Sequence, residues 1–410
     1  MTPIHRPPEW RIATLADVAA RIPNAIVDGP FGSSLKLTDY TTSGVPVLQG
    51  KNITNNEFRW FDIRYISEEK ANALKRSSVA VGDILIVKIG SIGYSAVIRD
   101  IPGSATAIIP ANLAKVTPNP SLIDTQYLHQ WLTSPVATQY LAGAASKTAQ
   151  PALSLRKIKQ LPVPVPPLKE QRRIADILAR ADALRAKRRD AIAHLDTLTQ
   201  SIFLEMFGDL ATAAEMDRST RLGEVLTFVT SGSRGWAQYY APSGSRFVRS
   251  LDVQMNLIAS DSAVFVDPPS SAEARRTRVQ PGDVLLTITG SRIGRVAAAP
   301  KDLAGAYVSQ HVAILRLDQR KVDPEFVAYC LSMEAGQRQI AEAHYGQTKP
   351  GLNLDQIRSL HVPRPPVAEQ QEFKKRLAAA RSVAALQEKA LATLDALFSS
   401  LQHRAFRGEL

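Results

Sequence analysis

Leu161-Pro-Val-Pro-Val-Pro-Pro-Leu-Lys-Glu-Gln-Arg-Arg-Ile174, with the helical pattern that follows it to about Gly208, returns later as Leu360-His-Val-Pro-Arg-Pro-Pro-Val-Ala-Glu-Gln-Gln-Glu-Phe373. The offset is 199 residues and places Pro164, Pro167, Glu170 and Gln171 on Pro363, Pro366, Glu369 and Gln370. Leu195 and Leu198 fall likewise on Leu394 and Leu397. Such a period is far longer than that of any short solenoid repeat. It marks a duplicated module, each copy a globular domain followed by a long helix.

The proline run cannot be helical, but a proline at a first turn suits a helix start. Beyond it, Ile174, Ile177, Ala181, Leu184, Arg188, Ala191, Leu195, Leu198 and Ile202 recur in steps of three and four, the spacing of a heptad seam. The second copy repeats the register as Phe373, Arg376, Ala380, Val383, Gln387, Ala390, Leu394, Leu397 and Leu401, with Arg188 and Gln387 as matched polar members. Two such helices most simply pair with each other. If a pseudo-two-fold axis relates the copies, the pair is an antiparallel coiled coil with a head at each end. A helix of about 40 residues is roughly 60 Å long, enough to act as a ruler between heads. The plainer alternative packs each helix on its own domain.

The expected layout is therefore a mixed α/β chain of four segments: a globular domain over 1–166, a helix over 167–209, a second domain over 210–365 and a second helix over 366–410. In the first domain Val79-Ala-Val-Gly-Asp-Ile-Leu-Ile-Val-Lys-Ile-Gly-Ser-Ile-Gly93 reads as a strand with a glycine turn. Thr125 to Ala142 reads as a helix that Ser134-Pro135 breaks or kinks. The second domain echoes the first: Gly282-Asp-Val-Leu-Leu-Thr-Ile-Thr-Gly-Ser-Arg-Ile-Gly294 matches the strand and turn, and Pro350-Gly-Leu-Asn353 matches Pro151-Ala-Leu-Ser154. Elsewhere the copies diverge, as in Asp28-Gly-Pro-Phe-Gly-Ser33 against Ser231-Gly-Ser-Arg-Gly-Trp-Ala-Gln-Tyr-Tyr240. The scaffold is kept and the surface changed.

A net charge of +12 and a pI near 9.8 point to an anionic partner. Lys and Arg exceed Asp and Glu by 6 in 1–166 and by 3 in 210–365, against 1 and 2 in the helical segments. The heads should hold such a partner and the helices act as framework. Cys330 is the only cysteine, which excludes disulfide frameworks and cysteine-ligated zinc and suits a reducing cytosol. No signal-like or membrane-length apolar run occurs, so a cytoplasmic protein without a membrane role is expected.

Enzyme motifs are weak. An amino-methyltransferase needs an Asn/Asp-Pro-Pro-aromatic loop, and Asp267-Pro-Pro-Ser270 lacks the aromatic and reads as a surface turn. Glu68-Glu-Lys70 after Asp62 could suggest a nuclease, but Ser67 reads as a helix N-cap. The histidines lack HExxH spacing, and no Walker loop is present.

Candidates for holding the anionic partner, were it a nucleic acid, are chosen by chemistry, since Arg, Asn and Gln make bidentate base contacts while Lys, Ser and Thr hold phosphates. In the first domain they are Lys51, Asn52 and Arg59, together with Lys88, Ser91 and Tyr94 at the Gly90-Ser-Ile-Gly-Tyr94 turn. The second contributes Arg234, Trp236, Tyr239, Arg246 and Arg249, and Arg292 and Arg295 from its own turn. Lys147, Thr148 and Gln150, with Gln347 and Lys349, precede the matched prolines as paired loops. Surface solvation or core packing is the ordinary fate of any one of them. The run Arg185-Ala-Lys-Arg-Arg189 reads as a solvated coil face.

The duplicated Leu-x-Val-Pro-x-Pro-Pro-x-x-Glu-Gln element, the Gly-Asp-[Ile/Val]-Leu strand ending in Gly-Ser, the 231–240 run and the ending Ala405-Phe-Arg-Gly-Glu-Leu410 together resemble the DNA-specificity (S) subunit of type I restriction-modification systems, over nearly the whole chain. The resemblance implies two target-recognition domains, each reading half of a bipartite, asymmetric duplex sequence across a spacer set by an antiparallel coiled coil. It implies no catalysis and no cofactor in this chain. Two modification subunits would bring S-adenosylmethionine for adenine methylation, and restriction subunits would bring ATP and magnesium. The alternatives are a self-sufficient methyltransferase or nuclease with a built-in recognition domain, and a coiled-coil adaptor indifferent to DNA.

Overall fold

A computed structural model of the protein describes residues 7–30, 34–146, 151–208, 219–344 and 350–410. The chain forms two compact units, Met1–Arg189 with Lys389–Leu410, and Asp190–Glu388. These cut across the four linear segments, because each unit takes part of both long helices.

In the first unit a four-stranded antiparallel sheet runs Ser95–Val97, Ile84–Val87, Leu113–Val116, Ile26–Asp28. The run Ile84-Leu-Ile-Val87 is buried throughout, as expected of a strand covered on both faces. Its residues alternate between two cores. Ile84 and Ile86 join Tyr127, Leu128 and Trp131, whereas Leu85 and Val87 join Leu48, Ile53 and Leu113. A second sheet orders Tyr40–Thr41, Arg64–Ile66, Val45–Val47, Ala107–Ile108, Ser78–Val79. Its Val45–Val47 and Ala107–Ile108 strands are parallel.

The second unit repeats this topology with one strand fewer in its second sheet, where a single Arg278–Tyr307 bridge stands in place of the fifth strand. Its first sheet runs Val296–Ala298, Val284–Thr287, Val312–Leu317, Leu226–Ser231, and its second Tyr240–Ala241, Val264–Val266, Ser245–Val248, Tyr307–Val308, again with one parallel pair. The expected helix over 125–142 is two helices, Thr125–Leu132 and Pro135–Ala144, and Ser134 caps the second by accepting from the Ala137 amide. Ser67 likewise caps Glu68–Ala73, and Ser271, just past Asp267-Pro-Pro, caps Ala272–Arg276.

The proline run is itself a strand, Pro162–Val165, paired antiparallel with Arg11–Thr14. The carbonyls of Pro162 and Pro164 accept from Trp131 Nε1 at 3.0 Å and the Tyr127 hydroxyl at 2.9 Å. A residue's N–H and C=O point to the same side of a strand. The two prolines thus turn their donor-less side away from the ladder and lose nothing.

The Gln of the repeated Glu-Gln pair then ties helix to head. Gln171 is fully buried; its Oε1 accepts from the Asp124 amide at 2.7 Å, and its Nε2 donates to the carbonyls of Leu122 at 3.1 Å and Pro166 at 2.8 Å. Gln370, equally buried, takes the Asp323 amide at 2.7 Å and gives to Pro365 at 2.8 Å and Lys321 at 3.4 Å. Asp124 and Asp323 are the N-caps of Thr125–Leu132 and Pro324–Ser332. In each unit one amide therefore joins the start of a long helix, the preceding proline run and the start of a core helix.

The long helices span Leu168–Phe207 and Val367–Ala405. In the first unit Arg173 donates to the Leu410 carbonyl and Arg185 to Asp395 at 2.6 Å, so the two segments there run antiparallel. Phe406 packs edge-on against Tyr127 and Trp131, and the Arg185 guanidinium lies 4.3 Å over the Phe398 ring. In the second unit Phe203 and Phe207 pack on Phe326 and Phe373, and Arg376 faces Glu205.

The seam differs from the expected one. Ile174 and Phe373 are buried and Leu195, Ile202, Leu394 and Leu401 half-buried, but Leu184, Leu198, Val383 and Leu397 are 56%, 46%, 43% and 51% exposed. Ile177 is only half-buried beside a fully buried Leu178. The shielded face runs 174, 178, 181, 185, 188, 192, 195, 199, 202 and 373, 377, 380, 384, 387, 391, 394, 398. Steps go four then three rather than three then four. Both readings share every second position, so the register error falls on the other half.

Gln171→Ala leaves one buried amide and two carbonyls unpaired and should cost about 2–4 kcal/mol. Glu170→Ala, which removes only a surface pair with Arg173, should cost under about 1 kcal/mol. Urea titration followed by circular dichroism compares them, and equal costs would refute the clamp.

Candidate nucleic-acid interface

Three loops converge at one end of the first sheet in each unit. The first leaves the strands Ile26–Asp28 and Leu226–Ser231 through a glycine that a side chain cannot replace. A Cβ at Gly29 would lie 2.2 Å from the Ile109 carbonyl oxygen, and one at Gly232 would lie 2.1 Å from that of Val308. The second loop is the Gly-Ser turn, with Gly90 and Gly93 at φ 93° and 87°, and Gly290 and Gly294 at 93° and 90°. The third comprises 110–112 and 309–311, equivalent because Lys88 N donates to Asn112 O and Ile288 N to His311 O, each at 2.8–2.9 Å. Ile89 bridges Ala152 and Thr289 bridges Gly351. The turn thereby lies beside the residue that follows each matched proline, Pro151 and Pro350. Lys147, Thr148, Gln150, Gln347 and Lys349 fall outside the described residues.

Several candidates prove to be built into the scaffold. Asn52 is fully buried and closes its own turn, accepting from the Gln49 amide at 3.0 Å and donating to the Phe61 carbonyl at 2.8 Å. Lys88 is buried with its ammonium 2.6 Å from Asp28. Trp236 is buried among Phe247, Tyr307 and the half-buried Tyr239. Arg246 donates to the Ala259 carbonyl. Arg249 grips the buried Asp252 at 2.8 Å and also reaches Ser262; hydrogen bonding to Asp252 raises its already high pKa. Free-looking cations in a sequence thus serve as internal struts when a carboxylate or carbonyl lies across the fold.

Others stand on the surface. Lys51 is partly exposed and pairs with Asp62, whose carboxyl it holds below its ordinary pKa by hydrogen bonding. Ser91 and Tyr94 are exposed on the first unit's turn. Arg292 is exposed and touches the Leu251 carbonyl at 3.3 Å. Arg59, Arg234 and Arg295 are exposed, with no side-chain ion pair among the described residues. Arg234 and Arg295 belong to the converging loops of the second unit. Such cations can hold phosphate at little desolvation cost, leaving neighbouring amides to read base edges.

The sequence reading passed over Thr289, Gln310 and His311, a half-buried hydrogen-bonded cluster at the same loop end. Its only sequence signal is positional. Gln310-His311 occupies the turn that Ala111-Asn112 fills in the first copy. Among the described residues no group of three or more His, Cys, Asp and Glu side chains has the placement of a metal site.

Residues 8–194 and 270–395 match the family described as Type I restriction modification DNA specificity domain. The chain is 31% identical over 179 residues to the EcoBI specificity subunit of Escherichia coli, a stretch covering 43% of this chain and 37% of that protein. It is 22% identical over 385 residues to the putative MjaX specificity subunit of Methanocaldococcus jannaschii, covering 91% and 87%. In fold it resembles a chain solved in work on complex assembly and conformational transition of the type I R-M system, at TM-score 0.58 and 18% identity with all of both chains covered. The type I S subunit from M. genitalium gives TM-score 0.55 and 15% identity over 99% of each chain.

Replacing Arg59, Arg234 or Arg295 with Ala should weaken duplex binding and reduce the slope of log affinity against log salt by about 1 each, without lowering thermal stability. Arg249→Ala should instead destabilise the second unit, because Asp252 is left buried and unpaired. Fluorescence anisotropy across a salt series and differential scanning calorimetry separate the two classes.

Proposed function

The chain belongs to the type I restriction-modification DNA specificity family, and from that premise we propose that its two units each read one half of a bipartite, asymmetric duplex target. The observation that carries this reading is the duplication itself. Two units share sheet order and register, yet differ in the loops that converge at the sheet end. Equal scaffolds with unequal loops suit two independent readers of unequal half-sites. The exposed Arg234 and Arg295, in a unit where the half-buried Arg246 and Arg249 are tied back to the fold, suit a rigid surface that meets phosphate.

In this reading the paired long helices set the unread spacer, and the chain performs no chemistry of its own. Two modification subunits bring S-adenosylmethionine and methylate adenine; restriction subunits bring ATP and magnesium. The assembly acts on DNA in the cytoplasm. No helix among the described residues is long and apolar enough to cross a membrane.

The test is co-expression with an adenine-methylating modification subunit of the type I family, followed by long-read mapping of methylated bases, with this chain omitted as control. A single bipartite motif that vanishes in the control is expected. Methylation unchanged without the chain, or methylation by the chain alone, would overturn the reading. Exchanging residues 221–360 for those of a relative should alter one half-site, whereas a change in both would exclude independent heads.

A further inference from the structure

We propose that Gln310 is a specificity-determining residue of the second unit that reads an adenine edge, and that His311 and Thr289 are its positioning residues; this rests on the reading of the second unit as a DNA half-site reader. His311 Nδ1 lies 2.5 Å from Thr289 Oγ1, and His311 Nε2 lies 3.0 Å from Gln310 Nε2. An amide nitrogen can only donate, so the His311 Nε2 accepts, the ring proton sits on Nδ1, and it is donated to Thr289. The chain of bonds fixes the Gln310 amide with its Oε1 and its second N–H uncommitted. That pair is an acceptor beside a donor, the complement of adenine N6–H and N7 in the major groove.

The surroundings support a reading site over an ordinary turn. Ser233 and Ser309 are bridge partners, 7% and 6% exposed, and neither hydroxyl has a hydrogen-bond partner. Thr287, two residues before Thr289, likewise carries a buried hydroxyl without a partner, so this loop end keeps hydrogen-bonding capacity that its own fold does not use. Arg234 follows Ser233 directly, and Thr289 leads into the turn carrying Arg292 and Arg295, so exposed cations able to hold phosphate stand on the loops that meet at this end of the sheet. The first unit has Pro110, Ala111 and Asn112 in the equivalent turn. The same backbone is therefore polar in one copy and mostly apolar in the other, as a position that carries sequence preference requires.

The experiment uses the methyltransferase complex and long-read mapping of its methylation motif. Gln310→Ala should relax an adenine at one position of one half-site, lowering discrimination there roughly ten- to a hundred-fold, and leave the other half-site intact. Gln310→Glu, nearly isosteric, should move the favoured base from adenine toward cytosine at that position, and it serves if the alanine variant does not fold. Thr289→Val should relax the same position more weakly, an effect a purely structural role would not confine to one base. A wild-type motif that persists unchanged in Gln310→Glu overturns the proposal while leaving the half-site reading intact. Loss of a chain-dependent motif in the wild type would sink that reading instead.

Discussion

One buried amide per unit is the contact on which the rest depends. Gln171 and Gln370 each pair with three backbone groups, two in the loop that leads into a core helix and one at the end of the proline run, and so tie both to the long helix that carries the glutamine. A primary amide suits this task because one end accepts and the other donates twice. A carboxylate in the same place could not donate, and an apolar side chain would strand all three partners. The cost of breaking the clamp makes the direction in which a long helix leaves its head a fixed property of that head. Any ruler built from the helices inherits its accuracy from these two side chains.

Around that joint the units achieve divergence without loss of fold by keeping the sheet hydrophobic on both faces. Alternation along Ile84–Val87 feeds two cores at once, and Val284–Thr287 does the same in the second copy. Charge pairs tie equivalent strands: Asp83 with Lys115, and Asp283 with Arg316. Where the copies differ inside, they differ in matched fashion. Lys88 and Asp28 form a buried pair where the second unit has Ile288 and Ser231. The loops are thus free to change because the layers beneath them are over-determined.

The duplication, the helices and the strand-and-turn units were legible because they are written in spacing and in proline and glycine, which act locally. The seam was half legible. Leu184, Leu198, Val383 and Leu397 attract a hydrophobic reading, yet the shielded positions beside them include Arg185 and Thr199, and what covers Arg185 is Asp395, 210 residues away, together with the Phe398 ring. The site was the least legible part. Nothing near Lys88 or Arg249 in sequence distinguishes a strut from a contact, since Asp28 lies 60 residues from Lys88 and Asp252 becomes buried only in the fold. Gln310 and His311 escaped notice because two polar residues before a strand carry no pattern; only the superposed turn of the other copy sets them apart.

The packing of Phe398 and Phe406 into the first unit has a consequence for how the protein is made. Tyr127 and Trp131 emerge from the ribosome long before the residues that cover them, with the entire second unit synthesised in between. At usual elongation rates of about 5–20 residues per second, that gap exposes an aromatic surface for some ten seconds or more. The early half of the chain therefore carries one open edge of its core until the C-terminal segment arrives to close it. The second unit, whose parts are contiguous from Asp190 to Glu388, can close first although it is made later.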